Sequence, residues 1–446
     1  MTTASLRSTR VLIDGSLRPA VVRVENGRIA ALLPDGPAVQ DLGDHALLPG
    51  FVDGHVHVNE PGRALWEGFA SATRAAALGG VTTIVDMPLN SSPVTTTQGA
   101  LIGKVAQTRG KLTVDVAFWG GVVPGNSQHL APMVRQGVRG FKCFLCPSGL
   151  DEFPHVTAAD LRVAMPILRD CGVPLLFHAE LEDELARVPM DADPQTYATY
   201  LHSRPKEWEE RAIALVIDMV RQTGCRAHIV HLSAASALPQ IRAAKAEGLP
   251  LSVETCPHYL GLTSAEVPRG ATEWKCSPPI REDENRERLW EGLRDGVIDV
   301  VVTDHSPCAP GLKKLDTGDF MGAWGGIASL QLGFAAVWTE AARRGFDLAT
   351  LSRWMGAAPA QLARLPGRGE IRVGGRADLT AVAPEIDWVV DPAELAHRHP
   401  QTPWAGRSLR GRVTDTWLGG VQIVARGALV GVTPGRAILS NANEGV

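Results

Sequence analysis

The chain has few cysteines, no marked excess of one charge and no long apolar run, and each shortage excludes a class of protein. Seven cysteines in 446 residues are too few, and odd in number, for a disulfide framework. A net charge of −4, from 44 basic and 48 acidic residues, gives neither the basic surface that binds nucleic acid nor an acidic tail. No apolar run approaches the roughly 20 residues of a membrane helix. We therefore expect reduced thiols and no nucleic-acid or membrane partner.

The N-terminal stretch MTTASLRSTRVLIDG also lacks the apolar segment of a secretory signal. From this we expect a soluble, cytoplasmic protein. The 45% hydrophobic content supports a sizeable core, and the length suits one large domain with a smaller one. The weak net charge is compatible with a small neutral or weakly charged substrate.

Cys143 and Cys146 are spaced as a C-x-x-C pair, which raises the question of a zinc or redox site. The chain has no second C-x-x-C pair that would complete a four-thiolate zinc site. We therefore predict that both are buried core thiols.

Strand-like runs alternate with helix-like stretches from about residue 50 to about residue 365. Eight such runs are present: ALLPGFVDGHVHV, GVTTIVDMP, LTVDVAFWGGV, VRGFKCFL, VPLLFHAE, RAHIVHLS, LPLSVETCPHYL and VIDVVVTDHSP. Between most of them lie segments with helical spacing that end in glycine, such as EGFASATRAAALGG. Eight β-then-α units predict a closed parallel (β/α)8 barrel over residues 51–366.

The two ends of the chain have a different sequence pattern. Residues 9–48 contain short hairpin-like pieces joined by Asp-Gly and Asn-Gly pairs, and the tail from about residue 367 is similarly rich in β-like runs. Chain termini often lie close together. We predict one small β-sandwich domain assembled from residues 1–50 and 367–446.

Polar side chains stand at the ends of five predicted barrel strands, where the chemistry of parallel barrels is located. These residues are His55, His57, Lys142, His178, His231 and Asp304. A single histidine at a strand end is more often a hydrogen-bonded structural residue than a ligand. Four imidazoles, an amine and a carboxylate converging on one rim instead suit metal ions. His228 and His258 stay ambiguous.

Lys142 is unusual in such a group, because an ammonium has no lone pair for a metal. One interpretation is a lysine that caps a strand end near carboxylates. The other is that its neutral amine captures carbon dioxide and becomes an anionic carbamate with two oxygens. Two divalent cations roughly 3.5 to 4 Å apart can share a bridging ligand. We predict two divalent metal ions per chain, zinc first, with cobalt, manganese or iron as alternatives that nitrogen and oxygen ligands also accept.

Nine motifs in order resemble those of the cyclic amidohydrolases, and within them those of the allantoinases. They are DGHVHVNEPGR, MPLNSSPVTTT, GFKCFL, FHAE, VHLS, ETCPHYL, KCSPPIR, VTDHSPC and GRGEIRVGGRADL. The resemblance implies a (β/α)8 barrel with a flanking β-sandwich, a binuclear metal centre and a homotetramer. It also matches the six strand-end residues, with Lys142 carboxylated, to the family's metal ligands.

The resemblance also implies where a substrate binds. Dihydroorotases carry an arginine two residues after the H-x-H motif, where it holds the substrate carboxylate, whereas this chain has Asn59. Ser277 and the loop GAWGG at 322–326, with Gly322 and Trp324, are implied contacts for a hydantoin-like ring. Both could instead be ordinary turns. Hydantoinases and dihydropyrimidinases usually lack the NEPGR and DHSPC segments, so the allantoinase interpretation is preferred over them.

The expected reaction is the hydrolysis of allantoin to allantoate. Metal-bound water has a pKa of roughly 7 and would be the nucleophile. Asp304 is the candidate catalytic residue that takes a proton and passes it to the leaving ring nitrogen. A hydantoinase-like, dihydropyrimidinase-like or dihydroorotase-like activity is the alternative. A non-catalytic scaffold that has lost its metals is a second alternative, which the complete set of ligand residues disfavours.

Overall fold

The computed structural model describes residues 3–183, 188–189 and 191–439, and strands from both ends of the chain form one sheet. The N-terminal strands are β1 (Thr3–Ile13), β2 (Ser16–Glu25), β3 (Arg28–Leu33), β4 (Gln40–Asp41) and β5 (Ala46–Pro49). The C-terminal strands are β15 (Leu379–Val389), β16 (Ser408–Leu418), β17 (Val421–Ala425) and β18 (Ala428–Leu429). Their order is β18-β17-β16-β15-β5-β1-β2-β3, with β4 beside β1. The antiparallel pairing of β5 with β15 joins the two ends.

Local sequence explains the hairpins of this sheet. Asp14 and Gly15 both have positive φ, 52° and 76°, and Asn26 and Gly27 likewise have 50° and 78°. Two consecutive residues with positive φ form the type I′ turn that suits the twist of antiparallel strands. Apolar side chains from the N-terminal and C-terminal strands pack in a cluster of their own, separate from the barrel core.

The central strands form the predicted barrel. They are β6 (Phe51–Val56), β7 (Val81–Asp86), β8 (Asp115–Phe118), β9 (Gly120–Gly121), β10 (Phe141–Phe144), β11 (Leu175–His178), β12 (Ala227–Ile229), β13 (Leu251–Thr255) and β14 (Val300–Val301). All their pairings are parallel, and only Trp119 separates β8 from β9. The barrel closes where the His57 N–H donates to the His305 carbonyl at 2.8 Å. The predicted fold class, a (β/α)8 barrel with a small β-sandwich built from both chain termini, is confirmed.

Helices cover the outside of the barrel. They are α1 (Phe69–Leu78), α2 (Gln98–Ala106), α3 (Ser127–Gln136), α4 (Ala158–Asp170), α5 (Tyr197–His202), α6 (Lys206–Thr223), α7 (Leu238–Ala246), α8 (Pro257–Gly261), α9 (Asp283–Arg294), α10 (Gly333–Arg343), α11 (Leu348–Ser352) and α12 (Ala358–Leu362). A π-helical turn, Arg353–Ala357, links the last two. No helix among the described residues is long and apolar enough to cross a membrane.

Burial and backbone turns together determine where the barrel presents polar groups. Every residue of β6 and of β7 is buried, as expected when helices cover a parallel sheet. Beyond the strand ends, His231 and Asp304 have positive φ, 39° and 44°. The chain therefore leaves its extended path at these two positions, at the rim where the strand-end side chains meet.

Candidate metal and substrate site

The structure brings all six predicted ligand residues into one buried cluster. The ring centroids of His55 and His57 are 5.4 Å apart, as are those of His55 and His231. Lys142 Nζ lies 3.0 Å from His55 Nε2. Asp304 Oδ1 lies 3.2 Å from His55 Nε2 and 3.7 Å from His57 Nε2. Residues from five strand ends thus share a space of a few ångströms.

Hydrogen bonds behind the cluster orient the imidazoles. His55 Nδ1 lies 2.5 Å from Glu254 Oε1, and His57 Nδ1 lies 2.6 Å from the Leu89 carbonyl oxygen. A carbonyl or an ionised carboxylate only accepts, so these ring nitrogens carry the proton. The opposite nitrogen, Nε2 in both rings, therefore presents a lone pair to the cluster. This arrangement is typical of metal-binding histidines.

His178 and His231 form the second half of the cluster. Nε2 of His178 lies 2.7 Å from the Glu180 carboxylate, so Nδ1 carries the lone pair. That Nδ1 is only 2.9 Å from Nε2 of His231. The buried Nδ1 of His231 has no hydrogen-bond partner among the described residues. These two ring nitrogens are close together. The other nitrogen of each ring faces Glu180 or has no partner among the described residues, so the close pair can bind one divalent cation.

Burial sets the charge state of the cluster. It lowers the pKa of His55, His57 and His231 well below the usual histidine value, so these rings are in the neutral form that binds metals. It also lowers the pKa of Lys142 to about 8, against the opposing effect of nearby carboxylates. A lysine with that pKa has a larger neutral fraction near neutral pH than an ordinary lysine, and carbamate formation needs the neutral amine. Burial raises the pKa of Asp304.

Two carboxylates that support the cluster were missed from the sequence. Fully buried Glu254 accepts from His55, from the His231 N–H at 3.2 Å and from His228 Nε2 at 2.9 Å. Glu180 is bound by His178 and by Arg204 Nη1 at 2.5 Å. One indication of these two carboxylates was present in the sequence, because Glu254 belongs to the motif ETCPHYL and Glu180 follows His178 in the motif FHAE.

The two ambiguous histidines are now located. His228 pairs with Glu254 and with Ser252 at 2.8 Å, so it supports the cluster from behind. His258 is buried, and neither ring nitrogen has a hydrogen-bond partner among the described residues. One of its nitrogens lies within 4.8 Å of ligand atoms of Cys256 and Asp304. Burial lowers the pKa of His258 to about 3, which keeps the ring neutral.

A cavity of about 240 Å³ opens onto the cluster. Five predicted ligand residues line it, together with residues of the surrounding loops. The lining includes His57, Lys142, His178, His231, Asp304, Asn90, Tyr200, Arg204, Lys275, Ser277, Ser306 and Trp324. The predicted contacts Ser277 and Trp324 are therefore on the cavity wall. Asp304 is the only carboxylate among the described residues that line it.

The structure does not place Asn59 or Gly322 on that wall. Asn59 is fully buried, donates to the Pro307 carbonyl at 3.2 Å and accepts from Asn90 Nδ2 at 3.3 Å. Its φ of 63° ends the extended path after His57, so the alternation that would have pointed it at the substrate no longer holds. Asn90 lines the cavity in its place. Gly322 is exposed, and its N–H donates to Asp319 at 3.0 Å.

The glycines of the loop at 322–326 allow it to approach the cavity floor closely. Gly326 has a φ of +140°, and a Cβ there would lie 2.1 Å from the Ser306 carbonyl oxygen. A Cβ at Gly325 would lie 3.1 Å from Ser277 Oγ. In the same loop, Trp324 packs edge-on against Trp66 with ring centroids 5.1 Å apart. A side chain at Gly326 would push the loop off the wall, and one at Gly325 would crowd the Ser277 hydroxyl.

The thiols of Cys143 and Cys146 are buried and unpaired, as predicted. Burial raises the pKa of both, so they are protonated at neutral pH. Neither completes a thiolate zinc site with the other.

Comparison with known proteins identifies relatives over almost the whole chain. The profile of the Amidohydrolase family matches residues 46–423. A protein named allantoinase from Streptomyces avermitilis is 50% identical over 428 residues, which cover 95% of each chain. An allantoinase from Saccharomyces cerevisiae is 38% identical and covers 98% of this chain and 99% of its own. Among solved structures, an L-hydantoinase (dihydropyrimidinase) from Arthrobacter aurescens superposes with a TM-score of 0.93 at 29% identity, covering 99% of this chain and all of its own.

Proposed function

The chain belongs to the amidohydrolase family, and from this premise we propose that it hydrolyses the cyclic amide bond of allantoin to give allantoate. The observation that carries the proposal is the buried cluster at the cavity, where neutral imidazole nitrogens and one carboxylate oxygen converge. The full-length similarity to proteins named allantoinase selects the substrate from the wider family.

We propose that two divalent metal ions, zinc first, are held by the six ligand residues with a carbamate on Lys142. His55, His57 and Asp304 form one group of ligand atoms, and His178 and His231 form the other. Lys142 lies against the first group, 3.0 Å from His55. When bound, such ions polarise an amide carbonyl and provide an activated water at neutral pH. Cobalt, manganese or iron would suit the same donors.

Asp304 is the group that can move the proton in this reaction. Hydrolysis breaks the ring C–N bond, so water must lose a proton and the leaving nitrogen must gain one. Asp304 is the only carboxylate among the described residues on the cavity wall, and it reaches both His55 and His57. It is therefore positioned to accept the proton of the attacking water and to donate it to the nitrogen.

Ser277 and Trp324 are the proposed contacts of the hydantoin ring. Ser277 Oγ is held by the Tyr200 hydroxyl at 2.7 Å and lies beside Gly325, and Trp324 forms part of the adjoining wall. Asn59 contributes through Asn90, whose amide it fixes. A role of Gly322 would be to shape the loop rather than to bind substrate, because it lies off the wall.

A substrate panel tests this assignment. Allantoin, dihydroorotate, hydantoin and dihydrouracil are assayed with one preparation. We expect the highest kcat/KM for allantoin, and a value at least about 100-fold lower for dihydroorotate, since an unpaired buried carboxylate costs several kcal/mol. Arg204 on the wall is already paired with Glu180, so it does not replace the arginine that dihydroorotases use for this carboxylate. Equal efficiency on dihydroorotate would contradict the substrate assignment, and a preference for hydantoin would favour the activity named in the structural neighbour.

Metal analysis tests the proposed cofactors and the non-catalytic alternative together. We expect two divalent ions per chain, activity that rises when bicarbonate and divalent metal are supplied during expression, and electron density for a carbamate on Lys142. An anomalous-scattering map with one ion or none, and a bare Lys142 amine in active enzyme, would contradict the proposal. The homotetramer and the cytoplasmic location stay predictions, and light scattering at four times the chain mass checks the first.

A further inference from the structure

Lys275 is a buried lysine on the cavity wall to which the reaction above assigns no role. It precedes the proposed contact Ser277 by two residues and lines the same cavity. Its Nζ donates to the Ala323 carbonyl at 2.6 Å and to the Met321 carbonyl at 3.2 Å, both in the loop that carries Trp324. Its ammonium also lies 4.7 Å from the ring centroid of Tyr200.

The donor count leaves one N–H of Lys275 for the cavity. An ammonium has three donors, and the two loop carbonyls account for two of them. The Tyr200 ring stabilises the positive charge from one side. Because the residue lines the cavity, the remaining donor is available to a bound molecule. Burial lowers the pKa of Lys275 to about 7, so the third donor belongs to the protonated form, which a bound acceptor stabilises.

The position of Lys275 in the cavity indicates which part of a substrate it meets. Its contacts are the Met321 and Ala323 carbonyls and the Tyr200 ring, none of which belongs to the imidazole cluster. The amide that is cleaved must lie at that cluster. An acceptor bound by Lys275 therefore lies away from the cleaved bond. In allantoin the two such acceptors are the second ring carbonyl, which hydantoin shares, and the ureido carbonyl, which hydantoin lacks.

We propose that Lys275 determines specificity for cyclic amides whose ring substituent carries a hydrogen-bond acceptor, by donating to the ureido carbonyl oxygen while it anchors the loop at 321–326. This inference rests on the proposed function, whose substrate supplies the acceptor. A site built to donate a hydrogen bond discriminates strongly against an analogue that lacks the acceptor, because its polar group is then left unpaired. Hydantoin, the bare ring, is that analogue.

Lys313 provides a matched control for the loop. Its buried Nζ donates to the Gly326 carbonyl and lies 3.3 Å from the Lys275 carbonyl, so it anchors the same loop. Lys313 is not among the described residues that line the cavity. Loss of its ammonium should therefore disturb the loop without removing a donor from the substrate.

The experiment compares Lys275→Met, Lys275→Gln and Lys313→Met with the wild type. The glutamine variant has two N–H donors, which can serve the two loop carbonyls but leave none for the cavity, and it keeps the test informative if the methionine variant fails to fold. For each protein, kcat/KM is measured for allantoin, and Ki is measured for hydantoin as a competitive inhibitor of allantoin hydrolysis. Circular dichroism checks that each variant is folded, and metal analysis checks that it binds as much metal as the wild type.

We expect Lys275→Gln, which keeps donors for the loop, to lose at least 30-fold in kcat/KM for allantoin while the Ki of hydantoin changes less than threefold. Lys275→Met, which also loses both loop anchors, should lose at least as much on allantoin and should weaken hydantoin binding only as far as Lys313→Met does. Lys313→Met should change both quantities by a similar factor. The proposal is overturned if a folded Lys275 variant stays within threefold of the wild type on allantoin, or if it weakens hydantoin binding by the same factor as allantoin hydrolysis. A wild type that does not hydrolyse allantoin would instead reject the proposed function.

Discussion

At the scale of the residue, Glu254 connects the two halves of the proposed metal site. Its carboxylate accepts from three donors: the His55 ring, the His228 ring and the backbone N–H of His231. A glutamine has a single acceptor oxygen and would present N–H groups to at least one of these donors. The carboxylate therefore fixes the tautomer of His55 and, through the backbone, the position of His231.

We predict that Glu254→Gln weakens metal binding about 10-fold to 100-fold, the range typical for partners behind metal ligands. Competition with a chelator measures the affinity directly and independently of turnover. Glu385→Gln, which changes a half-exposed ion pair with Arg10 on the β-domain, is the control. Unchanged metal affinity in Glu254→Gln would show that the imidazoles need no carboxylate behind them.

Asp304 is expected to separate metal binding from proton transfer. In Asp304→Asn an amide oxygen remains for a metal, but the group cannot take a proton at neutral pH. We expect kcat to fall about 10²-fold to 10⁴-fold, the typical contribution of a general acid or base, with most of the metal retained. Parallel measurements of kcat and metal content check this. Near-normal turnover with full metal would remove Asp304 from the mechanism.

At the scale of the element, the loop at 321–326 depends on close contacts of its backbone. Gly326 is in a conformation that other residues rarely adopt, and its Cα faces the Ser306 carbonyl oxygen too closely for a side chain. The same loop is anchored by Lys275 and Lys313. Its shape is therefore determined by backbone atoms on the cavity floor rather than by its own side chains.

We predict that Gly326→Ala displaces this loop and lowers kcat/KM for allantoin at least 10-fold. The midpoint of thermal unfolding should also fall, because a Cβ and a carbonyl oxygen cannot occupy positions 2.1 Å apart. Gly103→Ala is the matched control, since a Cβ on that helical glycine meets no atom within 4 Å. If Gly326→Ala retains wild-type kinetics, the loop does not shape the cavity as described.

At the scale of the whole molecule, buried ion pairs join the barrel to the terminal sheet. Arg368 Nη2 lies 2.8 Å from Asp115, the first residue of barrel strand β8. Arg376 contacts Asp115 at 3.2 Å and Asp378, which precedes β15, at 2.7 Å. All these groups are largely or fully buried. Removing one partner therefore leaves charge in a poorly solvated place.

We predict that Arg368→Met lowers the free energy of unfolding by roughly 3 to 5 kcal/mol, the usual effect of breaking a buried ion pair. The pair is at the start of β8, at the barrel end opposite the strand-end cluster, so kcat/KM should stay close to the wild-type value. Denaturant unfolding and allantoin kinetics check the two parts. Arg372→Met, at an exposed ion pair with Glu370, is the comparison and should change stability little.

The sequence by itself determined the barrel and the clustering of the residues that we propose as metal ligands. Strand alternation places His55 and His57 on one face, and the parallel topology brings the C-terminal ends of all strands to one rim. Lys142, His178, His231 and Asp304 could therefore be assigned to one cluster although they are far apart along the chain. The Asp-Gly and Asn-Gly turns of the terminal sheet are equally local, because they depend on the backbone preferences of two residues.

Only the tertiary structure decided what surrounds those ligands. Glu254 meets His55 across 199 positions of sequence, and Lys275 meets Ala323 across 48, so no local pattern specifies either contact. Asn59 itself has a positive φ, and this backbone turn directs its side-chain amide to Asn90 and away from the cavity. Sequence periodicity predicts which way side chains point along a regular strand. The cavity wall is formed by loops beyond the strand ends, where packing between distant segments determines which way each side chain points.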